Sequence, residues 1–304
     1  MQMPHPIPYQ GSKRNLAKDI LPFFPKSVNT LIEPFAGSAA ISIASAYGGK
    51  ASHFLINDLN KPLMELLKRI INTPEEIAES YEKLWTAQLG NKREYYDSIR
   101  DEFNKTHNPD YLLYLLARCV KASVRYNSQG EFNQSPDNRR KGKRPITMKK
   151  DILAVSKLLK EKTQVLSLDY KEILAMAKKT DLIYMDPPYQ GVCATGDPRY
   201  YSGIDFDDFM QELEKLTSRG ISFILSYDGR SGRKTYGIEL PSELGMKKIE
   251  INAGRSSQST LLGGDDITYE SIYLSKNLVK KLNYVAPNAK FYAHSHQPAQ
   301  PDLF

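Results

Sequence analysis

Asp186, Pro187, Pro188 and Tyr189 follow directly on the apolar run Leu182 to Met185, and their types suggest a grip on a planar amine. A carboxylate and a prolyl carbonyl only accept hydrogen bonds, so Asp186 and the Pro187 carbonyl together can hold both hydrogens of one –NH2 group. The prolines fix φ and carry no backbone donor, which keeps those acceptors rigid and out of a continuing strand ladder. Tyr189 adds a flat face on which a ring can stack. The exocyclic amine of a nucleobase has its lone pair delocalised into the ring. Holding both N–H bonds while the nitrogen pyramidalises would turn that lone pair toward an electrophile. Taken alone, Asp-Pro-Pro-Tyr is also an ordinary strand-ending turn.

Other elements must bring a donor to such a corner. Leu182 to Met185 has the short continuous apolar character of a strand buried on both faces of a parallel sheet. Thr30 to Glu33 reads as another strand, running through Pro34-Phe35-Ala36-Gly37-Ser38 into a helix that carries Ile41, Ile43 and Ala44. That turn has the small residues of a nucleotide-binding βα corner but no full Gly-x-Gly-x-x-Gly. A further strand, His53 to Ile56, has Asp58 at its tip, placed either for ribose hydroxyls or as the N-cap of a helix from Lys61. Gln164 to Leu168 ends at Asp169, and Ile221 to Leu225 ends at Ser226-Tyr227-Asp228 before a Gly/Arg-rich loop from Gly229 to Gly237. Lys247 to Ile251 and Ile267 to Leu274 give two more strands. Near the start, Tyr9-Gln10-Gly11-Ser12-Lys13-Arg14 predicts a helix capped by Ser12 and ended by Pro22, with Lys13 suited to a carboxylate or phosphate.

From Lys61 to about Leu116 the pattern turns helical, with Leu63, Leu66, Leu67 and Ile70 on one face. Lys121 to Lys150 is then strongly polar and basic. It carries Arg125, Arg139, Arg140, Lys141, Lys143, Arg144, Lys149 and Lys150 among Tyr126, Asn127, Phe132, Asn133 and Gln134. Cations suit phosphates, and Arg, Asn and Gln suit base edges in the major groove. A solvated basic loop is the plainer alternative.

Composition bounds the class. With 304 residues, 40% hydrophobic and 25% charged, the chain can bury a full core, and its formal charge of +7 leans toward an anionic partner. Two cysteines, Cys119 and Cys193, form no metal or disulfide pattern, and five scattered histidines argue against a catalytic metal. No signal peptide and no run of about 18 apolar residues is present, so a cytoplasmic protein with no membrane partner is expected.

Four stretches, in this order, resemble the Dam-type (class alpha) DNA adenine methyltransferases: Tyr9-Gln10-Gly11-Ser12-Lys13, Glu33-Pro34-Phe35-Ala36-Gly37-Ser38, Arg125 to Asn133, and Asp186-Pro187-Pro188-Tyr189. The resemblance covers most of residues 9 to 275. It implies a Rossmann-like α/β fold with a seven-stranded mixed sheet and an antiparallel last strand. The catalytic domain would span 1–60 and 161–282, an inserted helical target-recognition domain 61–160, and a flexible tail 283–304. S-adenosylmethionine would be the methyl donor, S-adenosylhomocysteine the product, and no metal would take part. Tyr9, Lys13, Phe35, Gly37, Asp58, Asp169 and Asp186 would meet the cofactor, with Tyr227 on the far wall. Asp186, Pro187 and Tyr189 would act on the flipped base, helped by Tyr201 and Phe206. Arg125, Asn127, Asn133, Arg139, Arg140, Lys141, Lys143, Arg144 and Tyr201 would contact double-stranded DNA. The family places such enzymes at the bacterial or phage nucleoid, and a cognate restriction endonuclease acting on the same site is a further partner it allows. Two departures stand out: Gln-Gly-Ser replaces the usual Gly-Gly of the first stretch, and Ser38-Ala39 stands where a further glycine is frequent. Methylation of the 4-amino group of cytosine, or a DNA-binding protein with a vestigial pocket, are the competing readings.

Overall fold

The computed structural model describes residues 3–188, 204–231, 234–236, 240–255 and 267–285. One sheet runs in the order β3 (Thr163–Leu166), β2 (Ala51–Asn57), β1 (Val28–Glu33), β4 (Leu182–Met185), β5 (Ser222–Ser231), β8 (Ile267–Leu274) and β7 (Lys247–Arg255). A short β6 (Lys234–Tyr236) pairs with β5 off this path. The neighbours from β3 to β5 are parallel, and β8 is antiparallel to both β5 and β7. This is the expected Rossmann-like mixed sheet of seven strands, with a three-residue eighth.

Both faces of the sheet are covered. On β4, Leu182 and Tyr184 enter one core cluster while Ile183 and Met185 enter the other. On β2, Phe54 and Ile56 alternate with Leu55 in the same way. A strand with no solvent face needs no polar residues, which is why these strands read as continuous apolar runs. The first cluster takes in α1 (Ala17–Ile20), α2 (Ala40–Tyr47), α3 (Lys61–Asn72), α7 (Pro145–Leu159) and Leu278 of α10 (Lys276–Val285). The second takes in α8 (Tyr170–Met176) and α9 (Phe206–Ser218). Inside the insert, α4 (Pro74–Ala87), α5 (Lys92–Thr106) and α6 (Pro109–Arg118) extend the first cluster: Leu66 of α3 and Leu113 of α6 share it with Leu31 of β1. One continuous core therefore joins the helical insert to the sheet, and Ser156 of α7 donates to the Ile71 carbonyl at 2.7 Å.

Local chemistry moves several expected boundaries. Ser12 does not cap a helix with its side chain; Lys13–Asn15 is a 3-10 turn, and the Ser12 hydroxyl accepts from Ser38 Oγ at 3.1 Å. Pro22 lies inside a second 3-10 turn, Leu21–Phe23, because a first-turn proline loses no needed donor. The cap of α3 is Asn60, whose side chain accepts from the Leu63 N–H at 3.2 Å, so Asp58 is not the cap. Residues Pro145 to Lys150 belong to α7 rather than to a loop, and β5 continues through Gly229 to Ser231.

The basic segment is built more tightly than its composition suggests. Tyr126 and Phe132 face each other across a hairpin with Gly130 at φ 78, and Phe132 is buried edge-on to Phe103. The carbonyls of Gln134, Lys141 and Lys143 accept from Tyr96 on α5, from Gln88 just past the end of α4, and from Tyr81 on α4. Arg118, wholly buried, donates to the carbonyls of Asp137 and Arg140. Buried donors thus shape the backbone from below, while Arg125, Arg139, Arg140, Lys141 and Arg144 remain exposed.

Candidate active site

The tips of β1, β2, β3 and β4 meet in one cleft. Tyr9, Lys13, Phe35, Gly37, Asp58, Asp169, Asp186 and Pro187 all line it, as do Glu33, Tyr170 and Tyr184. Of the described residues expected at the cofactor or the flipped base, Tyr227 and Phe206 are not part of this lining: Tyr227 is buried in the core cluster with α9, and Phe206, the first residue of α9, packs against the same cluster. Tyr189 and Tyr201 lie outside the described residues.

Asn57, wholly buried at the end of β2, clips the tips together. Its Nδ2 donates to the carbonyls of Pro34 and Leu168, each at 3.0 Å, and its Oδ1 accepts from the Leu168 N–H at 2.8 Å. Asp58, the next residue, accepts from the Gly37 N–H and from the Asn60 N–H, each at 2.9 Å. Burial raises the Asp58 carboxyl pKa, and those two hydrogen bonds act against the rise. Gly37 has φ +51, and a Cβ there would stand 3.0 Å from the Tyr9 ring, so glycine lets the turn and Tyr9 share the wall. Ala39 takes a left-handed φ of 55 at the start of α2. That conformation is cheap for glycine and costly for alanine.

Glu33 opens the second motif, and the sequence gives it no role of its own. It is buried at the end of β1, and its Oε2 accepts from the Ser42 N–H of α2 at 2.8 Å, an acid facing a helix N-terminus. Burial pushes its carboxyl up to about 7; hydrogen bonds from Ser42 resist this and the nearby Asp186 adds to it. Asp169 caps α8 by accepting from the Lys171 N–H at 2.8 Å. Beside it, Phe35, Tyr170 and Phe209 form an aromatic group with ring centroids 5.2–6.2 Å apart. The Tyr170 hydroxyl is buried without a hydrogen-bond partner among the described residues.

Lys13 lies 3.1 Å from Asp186 Oδ1 and 2.5 Å from Glu270 Oε1. Expected to meet the cofactor, it lines the cleft and also pairs these two acids. Glu270, on β8, carried no sequence signal that marked it. Tyr184 sits beneath, its hydroxyl pKa driven well up by burial and by Asp186.

The chain from 9 to 255 matches the model of the D12 class N6 adenine-specific DNA methyltransferases. It belongs to this family. Among its relatives, the retron Ec67 DNA adenine methylase of Escherichia coli is 28% identical over 84% of this chain and 88% of its own length. The type II methyltransferase M.MjaIII of Methanocaldococcus jannaschii is 27% identical over 72% of this chain and 82% of its own. A DNA adenine methylase of Vibrio cholerae is 26% identical over 84% and 94%. The protein is thus an adenine-specific DNA methyltransferase.

The methyltransferase ties its basic segment to the cleft. The Gln10 N–H donates to the Ala122 carbonyl at 2.9 Å, Tyr126 Oη to Asn60 Oδ1 at 3.4 Å, and Val124 is part of the lining. Arg125, Asn133, Lys141 and Arg144 are exposed. Arg139 and Arg140 pair with Asp137 yet leave side chains 86% and 78% exposed, open to a phosphate. Two expected DNA contacts are committed elsewhere. Lys143 donates to the His5 carbonyl and to Asp151, both at 2.6 Å. Asn127 holds the hairpin, its Oδ1 accepting from the Gln129 and Glu131 N–H groups and its Nδ2 donating to the Glu131 carboxylate. Cys119 is buried, and burial pushes its thiol up to about 12, which suits packing rather than attack. Among the described residues no helix is long and apolar enough to cross a membrane.

Proposed function

We propose that this methyltransferase moves the methyl group of S-adenosylmethionine onto the 6-amino group of an adenine swung out of duplex DNA. The observation that carries the reading is that Asp186 and Pro187 open into the same cleft as the Gly37 turn, Asp58 and Asp169. The residues fit the cofactor. Glu33, Asp58, Asp169 and Asp186 line the cleft with Lys13, a balance suited to a cationic ligand, and the orphaned Tyr170 hydroxyl lies in the aromatic group beside Asp169. Bound there, S-adenosylmethionine supplies a methyl group made electrophilic by a sulfonium.

The chain's own residues do the rest. Asp58 accepts from ribose hydroxyls and Asp169 from the cofactor's adenine amine, while Phe35 and Tyr170 offer the apolar wall. Asp186 and the Pro187 carbonyl hold the two target N–H bonds, and the Asp186 charge faces the positive charge that develops on nitrogen. Base extrusion costs a few kcal/mol. Stacking on Tyr189 and Tyr201, at about 1–3 kcal/mol per base, offsets it. Arg125, Asn133, Arg139, Arg140, Lys141 and Arg144 take the duplex. The relatives named type II methyltransferases support a restriction endonuclease reading the same site as a partner. Mapping the methylated sequence by long-read sequencing of DNA from an expressing, methylation-free host identifies the nuclease whose cleavage should be blocked.

Asp186→Ala should abolish turnover while cofactor binding persists, and nucleosides from DNA treated with the native enzyme should contain N6-methyladenine by mass spectrometry. An active Asp186→Ala enzyme refutes the assignment.

A further inference from the structure

Glu270 reaches Lys13, at the wall of the cleft, through an irregularity in the sheet. Ser226 of β5 pairs with Ile272 of β8 and Gly229 pairs with Glu270, so β5 takes three steps where β8 takes two. This is a bulge, a device that re-aims side chains and is common beside active sites. Its residues are suited to it: Asp228 has φ 58, and a Cβ on Gly229 would lie 2.6 Å from the Tyr269 carbonyl oxygen. Tyr273 Oη donates to Asp228 Oδ2 at 2.6 Å, fixing the bulge. Ser226 Oγ donates to Glu270 Oε1 at 2.9 Å, fixing the acid. The same Oε1 lies 2.5 Å from Lys13 Nζ, closer than Asp186 Oδ1 at 3.1 Å.

We infer that Glu270 is a positioning residue for methyl transfer: it takes up the Lys13 charge so that the Asp186 carboxylate keeps its own for the incoming amine. The inference rests on the reading of Asp186 as the acceptor of that amine. One lysine between two carboxylates leaves one net negative charge, directed at the cleft where the nitrogen becomes positive. With Glu270 neutral, Lys13 would neutralise Asp186 alone, and the electrostatic gain at the reacting nitrogen would go with it. Glu270 itself acts through Lys13.

Glu270→Gln tests this, because the amide keeps an acceptor for Ser226 and removes only the charge. The single-turnover rate at saturating cofactor and DNA should fall by about 10- to 100-fold, with both KM values within about twofold of the native ones. Glu270→Asp, which keeps the charge, should hold the rate within about fivefold of native. A native rate in Glu270→Gln overturns the inference. So does a matching loss in Glu270→Asp with both KM values raised, which marks a structural role. Should Glu270→Gln fail to fold, Glu270→Asp decides alone, and a loss beyond about tenfold counts against the inference. Asp186→Asn measured alongside separates the two claims: an inactive Asp186→Asn enzyme with a fully active Glu270→Gln enzyme sinks only the role of Glu270.

Discussion

Replacing Glu33 by Gln should make the enzyme's stability respond to pH in a specific way. The buried carboxyl has its pKa raised from the usual 4.5 to about 7, chiefly by burial. At about 1.4 kcal/mol per tenfold change in proton affinity, that corresponds to about 3 kcal/mol. The folded state holds the proton more tightly than the unfolded chain. Below about pH 4.5 both states are protonated and Glu33 imposes no penalty. Between about 4.5 and 7 the unfolded chain ionises first and the native protein loses stability; above about 7 the loss is complete. The substituted glutamine does not titrate, and its amide oxygen can accept the Ser42 N–H that Glu33 accepts at 2.8 Å. The stability of Glu33→Gln minus that of the native enzyme should therefore climb by about 3 kcal/mol from pH 4.5 to pH 8. Urea unfolding across that range, followed by the fluorescence of the single tryptophan, Trp85, measures it. Carboxylates that do not couple to Glu33 titrate equally in both proteins and cancel, and the contribution of Asp186, which does couple to it, is removed by measuring the same difference in an Asp186→Asn background. A difference that stays flat, or that falls with pH, refutes the argument.

Asn57→Ala removes three hydrogen bonds from the strand tips and leaves their Pro34 and Leu168 partners unmatched. At ~1 kcal/mol net each the loss is about 3 kcal/mol, read as a melting temperature lower by roughly 6 °C; a shift under about 2 °C would speak against the clip. Replacing Arg139 and Arg140 together by Gln should flatten the slope of log Kd for DNA against log salt by up to about 2, with cofactor affinity unchanged, and an unaltered slope removes the pair from the interface.

Residues that act where the chain turns could be read from order and type alone, because a strand buried on both faces is apolar until it ends. Asp58, Asp169 and Asp186 stand at such ends, and the cleft assembles from those ends and the Gly37 turn. Residues whose meaning depends on a distant partner left no such mark. Glu270 sits mid-strand in an ordinary-looking Tyr-Glu-Ser, and only the bulge opposite it turns it toward Lys13. Arg118 reads as one more charge at a helix end, yet it is wholly buried because the carbonyls of Asp137 and Arg140 need donors. Asn57 looked like a strand-ending amide, and its value lies in joining Pro34 to Leu168, more than a hundred residues away. Asp58 offered two readings that local sequence weighs evenly. The structure excludes one through Asn60, which takes the cap two residues on and leaves Asp58 bonded to Gly37. The basic segment erred in the opposite direction. Its composition marked the cations as one group, whereas Lys143 and Asn127 are bonded within the protein because a chain of that polarity must still satisfy its own backbone and its own acids. Motifs thus named residues that meet in one cleft, and the residues that hold those motifs in place became visible through contacts between distant elements.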